Sequence, residues 1–487
     1  MYVSILTARM RKLYLLFSVT ALLFFCQIVF SNSNSEYYHK ILQSIPKEAL
    51  SNGRLGVVVK SLTTDELIFQ HNPDKLFVPA SNVKVLTSVT ALSILKPDYR
   101  FKTEFYSGGD VTKGVIHGGL YIKGYGDPTL STQYLETIAE EFKSLGVKEI
   151  KGGIIVDDSY FDNVRYGKGW KEKWKGDVFS PPISALSLNY NKFYIKVYPS
   201  KIGRIPTAVL EPKGTNANII NKAITTKKGG KLTAVWLEAG KTIKLDGRIS
   251  HRNPSYTLEV STRNPALYAG SAFRRILDDA GIRVEGYVTV GVVPDWAGVL
   301  YTHFSDPLYL IIAEFNKNSV NIIGENIIKT LGATIIGEPG TWEKGTQVVS
   351  NFLHEIGIKD SFEIFDGSGL SLLNRVSPNA ITDVLEYAYN NQVISLKFLN
   401  SLSIGGVDGT LKKRFRRSEV EGRVMAKTGH LSNVNALSGY LFTKSGDVLV
   451  FSILANGLGS KATSFQNSLL GELVDCCGRD NIRDSSL

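Results

Sequence analysis

Two apolar runs, RLGVVVK (Arg54 to Lys60) and ELIFQHN (Glu66 to Asn72), flank a polar turn, which predicts a β-hairpin. The period then changes. In PASNVKVLTSVTAL (Pro79 to Leu92), Val83, Leu86, Val89 and Thr90 recur at helical spacing, and no Gly or Pro interrupts before Pro97. A helix is expected to begin there, with Ser81 at or near its N-cap. From Tyr99 the texture turns to short strands, Tyr99 to Tyr106, Gly119 to Lys123 and Gly152 to Val156, with Gly-rich turns and one helix over Gln133 to Leu145. Asn191 to about Ser261 reads as β-rich, with TAVWLEAGKTIKL (Thr233 to Leu245) extended. Helical period returns at Ala266 to Asp279 and strongly over Pro307 to Leu331. It recurs at Trp342 to Ile356, Asn379 to Asn390 and Thr463 to Cys476. Strands Ala436 to Thr443 and Asp447 to Ala455 flank the turn KSG. This order predicts an α/β frame that starts before Ser81 and resumes near Trp296, with largely β chain inserted between.

Length and composition agree with that division. A chain of 487 residues is too long for one typical core. With 43% hydrophobic and 21% charged residues, it is neither a disordered chain nor one with many membrane spans. The net charge of +11 suits an anionic partner, whether nucleic acid, cell wall or membrane surface. No basic patch is interleaved with aromatics, and no nucleic-acid motif is found, so no nucleic acid is expected. The densest basic run, Leu411 to Arg417 (LKKRFRR), reads as a solvated loop or helix end. At the N-terminus, Arg9, Arg11 and Lys12 precede an apolar run from Leu13 to Phe30, and SNSNS follows. That is the pattern of a signal peptide over 1–33, cut after Ser31 or Ser33, and it implies a periplasmic or cell-envelope location. The apolar run is long enough that an uncleaved membrane anchor, or association with the membrane surface, is the alternative. Cys26 follows two phenylalanines rather than the small residue that a lipoprotein signal needs. The adjacent Cys476 and Cys477 close no sizeable loop and lack further zinc ligands, and the seven histidines show no metal spacing. No metal and no cofactor are expected.

The chemistry lies in three motifs. Ser81 and Lys84 are three residues apart at a helix start, so hydroxyl and amine share one face near the positive end of the helix dipole. Ser319-Val320-Asn321 lies beside an apolar helix face, and Lys427-Thr428-Gly429 on or beside a strand. Each has a decoy: Ser44 and Lys47, Ser187-Leu188-Asn189, and Lys444-Ser445-Gly446. Singly, a helix cap, a polar helix residue and a kinked strand explain them. In this order and context, the set S-x-x-K, S-x-N and K-T-G is the signature of active-site-serine enzymes that act on penicillin and peptidoglycan. Ser81 is the expected nucleophile. Lys84 is its base, if burial and the nearby Lys427 cation keep the amine neutral. Ser319 relays a proton to the leaving nitrogen. Asn321 holds a substrate amide, and Lys427 and Thr428 suit a terminal carboxylate. Gly429 lets the substrate lie close to the strand. The backbone N–H groups of Ser81 and His430 are the expected oxyanion donors. No Ser-His-Asp triad is evident.

The chain resembles the D-alanyl-D-alanine carboxypeptidase/endopeptidase family, the class C low-molecular-mass penicillin-binding proteins. The likeness runs from about Tyr38 to the C-terminus. It rests on FVPASNVKVLTS, DYRFKTEFY, KGYGDPTL, GGIIVDDSYFD, PISALSLNYN, NPALYAGSAF, FDGSGLSLLNRVSP and GGVDGTLKKRF. Roughly 240 residues separate Ser81 from Ser319, room for the two inserted domains that the family carries. The resemblance implies an α/β transpeptidase-like (serine β-lactamase-like) domain, helices packed on an antiparallel sheet, with two nested mainly-β inserted domains. The expected limits are 34–98 and 296–487 for the transpeptidase-like domain, 99–186 and 262–295 for the first insertion, and 187–261 for the second. It implies cleavage of stem peptides ending in D-Ala-D-Ala and of cross-links between them, with β-lactams acylating Ser81 as mimics. The acidic residue that the family often carries inside S-x-N is Val320 here, which leaves the balance of carboxypeptidase and endopeptidase activity open. The segment DGSGLS (Asp366 to Ser371) reads as a tight supporting loop. A serine β-lactamase, and an idle wall-binding protein, are the rival readings.

Overall fold

The computed structural model describes residues 41, 44–47, 53–237, 240–359 and 361–476; the signal-peptide expectation lies outside them. Strands β1 (Leu55–Ser61) and β2 (Leu67–His71) form the expected antiparallel hairpin. A 3-10 turn, Ala80–Asn82, then leads into helix α1 (Val83–Ile94). Every residue of α1 from Val83 to Leu92 is buried, as befits a helix that is apolar around most of its girth. Lys84 is the one charged residue among them.

Between Lys102 and Phe304 the chain builds separate sheets. A five-stranded sheet runs in the order Val288–Val290, Ile154–Asp157, Leu120–Gly124, Lys102–Ser107, Gly298–Phe304. The strand Gly298–Phe304 follows the point where the sequence reading resumes the frame, and it pairs here with Lys102–Ser107. Helices α2 (Thr132–Ser144) and α3 (Pro265–Asp279) pack on this region through Phe142 and Phe273 against Phe105. Further sheets are formed by Lys192–Tyr198 with its neighbours and by Thr242–Ser250 with its neighbours. The stretch Thr233 to Leu245, expected to be extended, is a hairpin: Leu232–Trp236 folds back antiparallel on Thr242–Ser250.

The chain then adds helices α4 (Leu308–Lys317), α5 (Asn321–Ile335), α6 (Trp342–Glu355), α7 (Pro378–Asn390) and α8 (Ser395–Ser401). Apolar periodicity across Pro307 to Leu331 predicts one helix, but the structure breaks it at Asn318 to Val320. Asn318 caps α4, and Ser319 turns left-handed at φ 57°. Strands β3 (Ser403–Ile404), β4 (Val424–Leu431), β5 (Val434–Phe442) and β6 (Val448–Asn456) close a six-stranded antiparallel sheet in the order β2-β1-β6-β5-β4-β3. Helix α9 (Ser460–Leu473) follows. Side chains alternate across β5, and both faces are covered. Ala436 and Tyr440 join the core of α1, α5 and α7, whereas Leu437 and Leu441 face Phe465 and Leu469 of α9. The result is helices on both sides of one sheet, the α/β class expected. Among the described residues no helix is long and apolar enough to cross a membrane. Cys476, buried after α9, is disulfide-bonded.

Candidate active site

Ser81 sits in the 3-10 turn rather than at the N-cap of α1; that position is Asn82, which makes no side-chain cap. Its hydroxyl is thus free of capping duty and lies 3.0 Å from the Lys84 Nζ. The amine has two further contacts, both at 2.7 Å: the Asn321 Oδ1 and the backbone carbonyl of Ser368. Lys84 is wholly buried and touches no carboxylate. Burial pushes its pKa down to about 7, against the opposing field of Glu325 and Asp366. The sequence reading credits Lys427 with part of this shift. The structure shows the lysine–lysine repulsion acting on Lys427, which burial and the Lys84 charge hold well below the usual lysine range.

The three motifs meet in one place. The Lys427 Nζ donates to the Ser319 Oγ at 3.1 Å and to the Thr428 carbonyl at 2.9 Å. Lys427 is fully buried in β4, opposite Ser438 of β5. Strand β4 runs so close to the nucleophile turn that a Cβ on Gly429 would stand 2.9 Å from the Pro79 carbonyl and 3.0 Å from the Asn82 Nδ2. Asn82, wholly buried, ties turn to strand by donating to the Lys427 carbonyl at 3.2 Å. Thr428 donates to Thr410 Oγ1 at 2.8 Å. His430 is exposed, its Nδ1 3.0 Å from the Asn435 Oδ1, with no carboxylate partner. Two non-glycine residues here, Ala80 (φ 48°) and Ser319 (φ 57°), adopt left-handed backbone, which costs roughly 1–3 kcal/mol each and is typical of functional sites.

A cavity of about 530 Å³ opens onto Ser81, Ser319, Asn321 and His430. Its outer wall comes from the inserted region: Lys171, Lys173, Trp174 and Phe179, whose carbonyl accepts from Asn321 Nδ2 at 2.8 Å. No Asp or Glu lines it. Among the described residues no cluster of His, Cys, Asp and Glu could hold a metal ion.

The decoys lie elsewhere in the fold. Ser44 bonds its own helical turn at Ile41, Ser187 and Asn189 are tied to Ser184 and Thr132, and Lys444 to Gly446 form the β5–β6 turn. Sequence reasoning missed Asn82 and Glu325, and read Asp366 and Ser368 only as parts of a tight supporting loop. Glu325 carries a faint signal, being one helical turn after Asn321 on an apolar face. The DGSGLS loop is more than support, since its Ser368 carbonyl touches Lys84.

Comparison with known proteins gives a consistent outcome. Residues 38–473 match the model of the D-Ala-D-Ala carboxypeptidase 3 (S13) family. A D-alanyl-D-alanine carboxypeptidase of Actinomadura sp. (strain R39) is 32% identical over 448 residues, 88% of this chain and 83% of that one. The D-alanyl-D-alanine carboxypeptidase DacB of Haemophilus influenzae is 27% identical over 424 residues, 86% and 87% of the two chains. The crystal structure of penicillin binding protein 4 from H. influenzae superimposes with a TM-score of 0.77 at 26% identity. It covers 90% of this chain and 99% of that one. A second crystal structure of that protein, in complex with a β-lactam, gives 0.72 at 26% identity, with the same coverage.

Proposed function

Starting from a chain that belongs to the D-Ala-D-Ala carboxypeptidase 3 (S13) family, we propose that it cleaves peptidoglycan stem peptides through an acyl-enzyme on Ser81. The observation that carries this reading is the hydrogen-bond pattern around Lys84. Asn321 Oδ1 and the Ser368 carbonyl can only accept. A neutral amine has two N–H bonds and one lone pair. Donating to both carbonyl oxygens leaves the lone pair directed at the Ser81 hydroxyl, 3.0 Å away. A pKa near 7 keeps a large share of the amine neutral at neutral pH.

In this reading Ser81 Oγ attacks the carbonyl of the penultimate D-alanine and its proton passes to Lys84. The N–H groups of Ser81 and His430 receive the oxyanion. The C–N bond breaks, and Ser319 relays the proton that Lys84 took to the departing amine of the terminal D-alanine, so that both side chains return to their starting states. Water then hydrolyses the ester. The terminal carboxylate lies on Lys427 and Thr428. Burial drives the empty Lys427 towards neutrality, and a bound carboxylate restores its charge. A β-lactam opens its ring amide on the same hydroxyl. The amine freed from the ring stays tethered to the acyl group instead of leaving as D-alanine does, so that adduct is expected to clear slowly, which separates this reading from a β-lactamase. Cleavage of cross-links, export to the cell envelope and the domain limits 99–186, 187–261 and 262–295 belong to the same proposal. The first is supported by the open cavity mouth; the separate sheets support two inserted units, although Gly298–Phe304 carries the first of them past 295.

The test is release of D-alanine from a synthetic peptide ending in D-Ala-D-Ala. The parent chain is expected to release it, and Ser81→Ala to fall to background. Equal release by both would overturn the reading.

A further inference from the structure

We propose that Glu325 is a positioning residue for acylation: through the 366–369 loop it holds the Ser368 carbonyl against the Lys84 amine, and so aims that amine at Ser81. The inference rests on the acyl-enzyme reading above and deepens it. The Ser368 carbonyl is one of the two acceptors that fix the lone pair of Lys84, yet Ser368 lies in a loop between α6 and α7, not in a regular element. Something must hold that loop. Glu325 Oε1 accepts the Ser368 N–H at 2.9 Å. Its Oε2 accepts the Gly367 N–H at 3.2 Å and the Trp342 Nε1–H at 2.7 Å. Glu325 therefore clamps the two peptide N–H groups that lead into the Ser368 carbonyl, while the N–H of the carbonyl's own peptide unit, that of Gly369, is held by Asp366.

The clamp is buried and one-sided. Glu325 and Asp366 are both wholly inaccessible to solvent. Asp366 braces the far side of the loop, accepting from the N–H groups of Gly369 and Ser371, from Asn374 Nδ2 and from Trp170 Nε1. Gly369, at φ 88°, brings the loop so near the nucleophile turn that a Cβ would stand 1.9 Å from the Ala80 carbonyl. The loop cannot relax towards Ser81; Thr87 of α1 donates to the Gly367 carbonyl at 2.8 Å and Asp366 holds Gly369, but only Glu325 holds the Ser368 N–H itself among the described residues. All three partners of Glu325 are donors, a set that suits a carboxylate and not a carboxylic acid. Burial and Asp366 raise its pKa to about 7, so its charge is sensitive to its surroundings. The ionisable groups facing it are Asp366 on the loop, Lys84 on α1 and Lys329 on its own helix. Its negative charge raises the pKa of Lys84. Glu325 thus acts on the amine twice, through the loop's geometry and through its field.

Glu325→Gln places an NH₂ donor against one of the clamped N–H groups and removes the charge. With benzylpenicillin as the probe, the limiting acylation rate constant is expected to fall at least tenfold, with the non-covalent dissociation constant within about twofold of the parent. The acid limb of the rate–pH profile is expected to move to lower pH, because Lys84 loses a neighbour that favours its protonated form. Trp342→Phe removes one hydrogen bond from the carboxylate and should move the limb the same way by less. A folded Glu325→Gln protein with parental rate and limb overturns the inference, as does a slower one whose limb has not moved, since a purely structural role would leave the titration in place. Should Glu325→Gln fail to fold, the Trp342→Phe limb decides alone, and an unmoved limb overturns the inference. If the parent's own adduct maps away from Ser81, the acyl-enzyme reading has failed; a Ser81 adduct with unmoved profiles fails the Glu325 inference only.

Discussion

Two lysines lie buried in neighbouring helices and live in opposite company. Lys84, on α1, has three neutral oxygen partners and no carboxylate in contact. Lys329, on α5, is equally inaccessible. It is ion-paired to Asp162, donates to the Val164 carbonyl at 2.8 Å and stands 3.9 Å over the Trp342 ring. Burial lowers the pKa of both, but at Lys329 the Asp162 carboxylate pulls in the opposite direction from direct contact. The difference separates a staple from a base. Lys329 fastens the segment of Asp162 and Val164 to α5 through an ion pair, whereas Lys84 has an environment that favours loss of its proton.

The comparison can be broken from either end. Lys84→Met should cut acylation by penicillin by roughly 10²–10⁴-fold, the range for loss of a general base, without lowering stability at neutral pH. A Lys84→Met protein that still acylates at the parental rate would mean the buried amine is no base. Lys329→Met should do the reverse. Stripping the cation from a largely buried pair leaves Asp162 uncompensated, and a loss of about 2–4 kcal/mol in chemical denaturation is expected, with acylation of the surviving folded protein within a few-fold of the parent. If Lys329→Met is as stable as the parent, the ion pair is no staple.

Gly429→Ala comes next. The new Cβ meets a backbone carbonyl that cannot swing away, so β4 must shift from the Ser81 turn, and about tenfold slower acylation is expected. An unchanged rate would show that β4 has slack. The last test is the linkage between pH and stability. The folded pKa of Lys84, about 7, lies below the ordinary lysine value of 10.5, so between these values the unfolded chain binds more protons. Stability therefore gains from Lys84 as pH rises through this window. Lys84→Met should flatten that part of the curve, and a parental slope in the mutant would contradict the depressed pKa.

Much of this was legible in the sequence, for reasons specific to each part. The hairpin, α1 and the β5–β6 pair follow from local periodicity and turn chemistry, and Lys427 could be placed on a strand because apolar residues precede it. Motif order alone suggested that Ser81, Lys84, Ser319 and Lys427 converge. The break between α4 and α5 was not legible, because apolar spacing continues in phase across it while the left-handed Ser319 depends on the fold around it. The contacts of Glu325, Asp366 and Asn82 were missed for a related cause. These residues have partners 42, 196 and 345 residues away, and a buried polar residue reads in sequence as a polar residue.

The most direct test of the central claim is mass mapping of the chain after reaction with benzylpenicillin. The account predicts one long-lived adduct per chain on the tryptic peptide from Leu76 to Lys84, lost in Ser81→Ala. An adduct on any other peptide, or penicillin consumed with no adduct accumulating, would contradict it.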